Sequence, residues 1–175
     1  MLDSILGGAS GFGGGGVGNK TSRLYKALVK TELAAAIGSG LMESIDPFLY
    51  SIYVTLREEH TLEEVEAAVS AEIDKVIAGE ITQAELDKAK KQARALFAYS
   101  TESVSSQAYN LAFFEHIAGD CEWFLTFEQR LRDVTLADIQ EVAVKYLQPS
   151  QRTVGWFVPT IPDGADAETE GEEEE

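Results

Sequence analysis

The chain has 175 residues, 45% of them apolar, with 30 acidic against 14 basic side chains and a formal net charge of −16, the make-up of about one globular domain. Eight of the acids fall between Asp163 and Glu175, a stretch with no Lys or Arg, so half of the net charge belongs to the C-terminal segment. An acidic surface without a basic stripe repels phosphate backbones and anionic headgroups, which argues against nucleic acid and membranes as partners.

The single cysteine, Cys121, excludes an internal disulfide and a thiolate zinc cluster. It stands between Asp120 and Glu122, whose charges disfavour the thiolate. No apolar run approaches the ~20 residues of a membrane helix, and the first residues lack the basic and apolar regions of a signal peptide. A soluble chain is expected, its compartment open (periplasm or cytoplasm if bacterial).

In chain order, Leu2, Ile5 and Leu6 read as the last turns of a helix closed by Gly7. Eight glycines follow between Gly7 and Gly18, a string in which no regular element is expected to persist. Ser22 to Thr31 reads as a helix with Leu24, Ala27 and Leu28 on one face. Ala34 to Met42 and the alternating Phe48 to Leu56 read as an antiparallel strand pair turned at Asp46-Pro47.

From Thr61 the apolar period changes from 2 to 3.6. Thr61 with Glu64, Thr82 with Glu85 and Thr135 with Asp138 each have capping-box spacing at a helix start. Helices are expected from Leu62 to Gly79, from Thr82 through Phe97, from Ser103 to Gly119, around Trp123 to Val134, and from Leu136 to Tyr146. Lys88, Lys90, Lys91 and Arg94 read as a solvated face of the second of these. Arg152 to Val158 reads as a final strand returning to the sheet, and residues 160–175 as a disordered acidic tail. The fold class is α+β: an antiparallel sheet of three or more strands with helices packed on one face.

Two nucleotide motifs lie in the glycine string. Gly11-x-Gly13-x-x-Gly16 fits the dinucleotide fingerprint formally, and Gly18-Asn19-Lys20-Thr21 is one insertion away from a phosphate-binding Gly-Lys-Thr. Both need a strand just before the glycines, where a helix end is expected. Glu59-His60 and Glu115-His116 echo the end of His-x-x-Glu-His, but Leu56 and Ala112 occupy the place of the first histidine, so neither pair can chelate zinc. No Gly-x-Ser-x-Gly elbow offers a serine nucleophile.

Taken together, Leu6-Gly7-Gly8, the glycine string, Ser22-Arg23-Leu24-Tyr25-Lys26-Ala27-Leu28-Val29, Asp46-Pro47-x-Leu49, Glu85-Leu86-Asp87-Lys88-Ala89-Lys90 and Arg152-Thr153-Val154 carry a family likeness. Over about residues 2–159 the chain resembles the domain of the pitrilysin/insulinase family of zinc metallopeptidases. Its glycine string running into Ser-Arg-Leu-Tyr is especially similar to that of alpha-type subunits of mitochondrial processing peptidase, where it handles substrate.

The resemblance implies repeated α+β domains closing as a clamshell around an unfolded peptide, with zinc held by an N-terminal domain and none in the C-terminal kind. This chain resembles the C-terminal kind, beginning in mid-helix and lacking its first strand or strands. The resemblance further implies no cofactor here, zinc in a partner domain or subunit of the same family, and peptide substrate met by Gly13, Gly14, Gly15 and Gly16. An Arg and, seven residues on, a Tyr reach the substrate in many family members; Val29 and Ala36 stand at those places here. The leading expectation is a non-catalytic domain that encloses and positions peptide. The alternatives are a scaffold subunit of the same family, as the core proteins of the respiratory bc1 complex resemble peptidases, and a nucleotide-binding module.

Overall fold

The structure is a computed structural model that describes residues 1–10, 16–18, 20–46 and 48–159. It opens with a short helix α1 (Leu2–Leu6), then strands β1 (Gly8–Ser10) and β2 (Gly16–Gly18), a π-helical turn (Tyr25–Val29), and strands β3 (Ala34–Leu41) and β4 (Tyr50–Leu56). Five helices follow: α2 (Leu62–Ile77), α3 (Gln83–Tyr99), α4 (Val104–Ala118), α5 (Glu122–Asp133) and α6 (Leu136–Tyr146). The class is α+β, as expected.

All three predicted capping boxes form. Thr61, Thr82 and Thr135 each accept a hydrogen bond from the backbone three residues on, and Glu64, Glu85 and Asp138 reach back to the cap amides. Each box satisfies two amides that a helix start otherwise leaves unpaired. α4 stops at Gly119, which adopts φ +71°, a left-handed conformation that glycine reaches without steric cost.

β3 and β4 pair antiparallel from Ala34↔Leu56 to Leu41↔Tyr50, with an irregularity between Ala34 and Ala36. β4 starts two residues later than the alternation suggested, and Phe48 and Leu49 are exposed in the connection. The core lies where the sheet, α1 and the π turn meet the helices: Leu6, Leu24, Leu28, Val76 and Leu86 are almost completely buried beside Ala34, Ile139 and Ala143. Each such leucine contributes about 1.5–3 kcal/mol by leaving water. A second cluster joins α3, α4 and α5 through Phe97, Phe114, Phe124 and Phe127, with the Phe97 and Phe127 ring centroids 4.5 Å apart.

Two expectations are corrected. The glycine string is not wholly irregular: β1 and β2 pair antiparallel, Gly8 opposite Gly18 and Ser10 opposite Gly16. A strand therefore does precede the glycines, contrary to the sequence reading. The third strand of the main sheet is missing among the described residues. Arg152 to Val158 pairs with no strand, and Trp156, Phe157 and Val158 are exposed. A strand-competent sequence becomes a strand only beside an open edge, and local composition does not supply one. The segment is tethered instead at Arg152, which donates to Ser70 Oγ at 2.6 Å and to Glu66 Oε1 at 3.0 Å. The acidic segment 160–175 lies outside the described residues.

Candidate functional site

The glycine hairpin pairs β1 with β2. Gly16 opens β2, while Gly13, Gly14 and Gly15 lie outside the described residues. β1 is the inner strand, packed toward α1, α3 and β3. At its start the approach is close: a Cβ at Gly7 would overlap the Ser39 side chain of β3, so glycine is required there by space. Next to it Ser39 Oγ donates to Asp3 Oδ1 at 2.6 Å, and the Tyr50 hydroxyl donates to the same oxygen at 3.1 Å. Burial, and then the Asp3 charge, push the Tyr50 phenol well above its ordinary range, so it stays a hydrogen-bond donor. This contact ties α1 to the sheet on which the hairpin rests.

On its far side the hairpin runs into the π turn, which is fastened to the start of α3. Arg23 Nε donates to Glu85 Oε1 at 2.8 Å and its Nη2 to Oε2 at 2.9 Å, and the guanidinium also reaches the Glu80 carbonyl. Partial burial works to raise the Glu85 carboxyl, but the Arg23 fork with the Thr82 amide and hydroxyl outweighs it and holds the group at about 2. Arg23 is thereby committed to structure. Lys88 Nζ donates to the Thr21 hydroxyl, so α3 also grips the exit of β2.

Lys88 and Lys90 are half-buried and engaged, which departs from the expected solvated face; Lys90 Nζ donates to the Arg132 carbonyl at 2.7 Å. Nothing local in the sequence links residues 62 and 67 positions apart, as these pairs are.

A nucleotide site fits poorly. The dinucleotide fingerprint needs its last glycine to open a helix, whose N-terminus receives the phosphates. Gly16 opens a strand paired back on β1. Zinc finds no fitting donors either. Half-buried His60 sits before α2 with its Nδ1 3.3 Å from Glu64 Oε2, exposed His116 lies near the end of α4, and no group of three or more His, Cys, Asp or Glu among the described residues could hold a metal. Exposed Cys121 has its amide bonded to Glu115 Oε2 at 2.9 Å. Among the described residues no helix is long and apolar enough to cross a membrane.

The profile of the family described as "Peptidase M16 inactive domain" matches residues 1–93, more than half of the chain, from α1 into α3. The chain belongs to this family. Zinc protease PqqE of Helicobacter pylori (strain ATCC 700392 / 26695) is 29% identical over 141 residues, which are 80% of this chain and 32% of that protein. The chain thus spans about a third of the length of this curated relative.

Three solved structures share the fold. A protease from Helicobacter pylori superposes with a TM-score of 0.73 at 28% identity, over 86% of this chain and 34% of that one. A zinc-protease candidate from Bordetella pertussis Tohama I gives 0.75 at 26% identity, over 91% and 81%. The inactive peptidase domain of a zinc-protease candidate from Bordetella parapertussis gives 0.70 at 28%, over 80% and 74%. The M16 inactive domain is the non-catalytic kind that the resemblance implied, in fold and in family.

Proposed function

We infer that this M16 inactive domain receives extended peptide on its glycine hairpin and holds it for a zinc-bearing domain or subunit of the same family. The observation that carries this reading is the hairpin's construction. β1 is fixed by Gly7, Ser39 and α3, which leaves β2 as the outer strand of a two-stranded sheet. An edge strand with glycine at two of its three positions, Gly16 and Gly18 flanking Val17, offers backbone amides and carbonyls with little side chain in front of them, the geometry of strand addition. Gly16 lies on that edge, and the peptide-binding role extends by sequence to Gly13, Gly14 and Gly15, which precede it and carry no side chain.

The chemistry belongs to the other domain. Zinc there would polarise the peptide carbonyl and activate water. The residues of this chain contribute binding and orientation. The zinc protease from Helicobacter pylori, three times longer than the matched span, leaves room for such a domain. Exposed apolar side chains at the β3/β4 end, Leu41, Met42, Ile45, Phe48 and Leu49, offer it a docking surface.

The test is binding of a fluorescently labelled, uncharged extended peptide of about ten residues. Wild-type chain is expected to bind it, and Gly14→Pro and Gly16→Pro, which remove amide donors, to bind at least about fivefold more weakly. Unchanged binding in both variants contradicts the reading.

A further inference from the structure

Three lysines belong to the segment at the foot of β2 or reach it: Lys20 directly precedes Thr21, Lys26 stands one turn further with its amide on the Ser22 carbonyl, and Lys88 comes from α3. Lys20 and Lys26 are exposed, and Lys88 reaches from α3 to the Thr21 hydroxyl. Among the described residues no carboxylate forms an ion pair with any of the three. The carboxylate that acts on Lys88, Glu85, is already engaged by the Arg23 fork and by the Thr82 amide and hydroxyl. Partial burial lowers the Lys88 ammonium from its ordinary value, and the Lys26 charge adds to this. In a chain of net charge −16, such a cluster runs against the general field.

Repulsion between neighbouring cations is relieved by an anion placed among them, and the adjoining strand edge decides what kind. A peptide laid along β2 passes this cluster at the Gly18 end. We propose that Lys20, Lys26 and Lys88 form a subsite for an acidic side chain of the peptide held by the glycine hairpin, so that the domain selects extended peptides carrying Asp or Glu near the hairpin-bound segment. This rests on the hairpin reading and adds a substrate class to it. The groove between α3 and α5, lined by Lys90, Lys91, Arg94 and Arg132 together with Asp87, is the rival for the same charge. Its cations are partly answered by Glu128, which pairs with both Arg94 and Arg132.

Two labelled peptides of one sequence, differing only in Glu-Glu against Gln-Gln, are titrated with the full 175-residue chain at low salt. The acidic peptide is expected to bind about five- to tenfold more tightly, and the preference to fade near 0.5 M salt. K26Q/K88Q, checked for folding by circular dichroism, is expected to bring the two peptides to equal affinity while K91Q/R94Q keeps the preference.

Equal binding of both peptides by the wild-type chain overturns the acidic subsite and leaves the hairpin reading standing. A preference that survives K26Q/K88Q and disappears in K91Q/R94Q moves the charge recognition to the α3/α5 groove and overturns it as well. Absence of binding by either peptide overturns both.

Discussion

Arg23 and Glu85 form a two-pronged ion pair, Nε to Oε1 at 2.8 Å and Nη2 to Oε2 at 2.9 Å, across 62 residues of sequence. The same carboxylate closes the capping box of α3 by accepting from the Thr82 amide at 2.9 Å. One group therefore starts a helix and anchors the segment that leaves the glycine hairpin. The side chains are only 14% and 28% exposed, so the pair is screened less than a surface one.

Replacing Arg23 by Ala should destabilise the chain by about 2 kcal/mol, because Glu85 keeps its cap but loses its cation. Arg23→Lys should recover less than half of that, since an ammonium cannot make the fork. Urea unfolding of the three proteins near neutral pH reads both differences.

The same pair sets an acid limit. Glu85 titrates at about 2 against an ordinary 4.5, so its contribution is complete above pH 4.5 and is lost as pH falls toward 2. Allowing for solvent screening, that contribution is about 1–2 kcal/mol. The stability difference between wild type and Glu85→Gln, measured by urea unfolding at pH 6 and again near pH 3, should shrink on acidification.

Gly7→Ala should destabilise by about 1–3 kcal/mol, since its Cβ would overlap the Ser39 side chain. Adding Ser39→Gly should recover part of the loss, though not all, because Ser39 also donates to Asp3. Melting temperatures of the single and double variants check this; independent, additive losses would contradict the overlap.

Much of this was readable in the sequence, and the boundary is physical. The three capping boxes, Gly119 as a helix stop and the β3/β4 pair rest on contacts or periodicities within a few residues, and all form. The glycine string carries no side-chain periodicity, so the pairing of Gly8 with Gly18 had no signal. Val154, Trp156 and Val158 alternate as a strand would, yet pairing depends on an edge elsewhere in space. Lys88 read as solvated because Thr21, its partner, is 67 positions away. The family likeness drew on ordered motifs over about residues 2–159, which is how it identified a non-catalytic domain where no single motif could.

Cys121 offers a check on the surface electrostatics. Its thiol is pushed up, first by local desolvation and then by Glu115, with Asp120 adding to it. Alkylation by iodoacetamide near pH 7.5 should be slower than that of free cysteine, and Glu115→Gln should speed it.

Hydrolysis of a quenched fluorescent peptide by the 175-residue chain, with zinc supplied and then with a chelator, tests most directly whether this domain carries catalysis. As an M16 inactive domain whose described residues assemble no metal-binding cluster, it should show no turnover under either condition. Turnover that zinc supports and the chelator abolishes would contradict the assignment of catalysis to another domain.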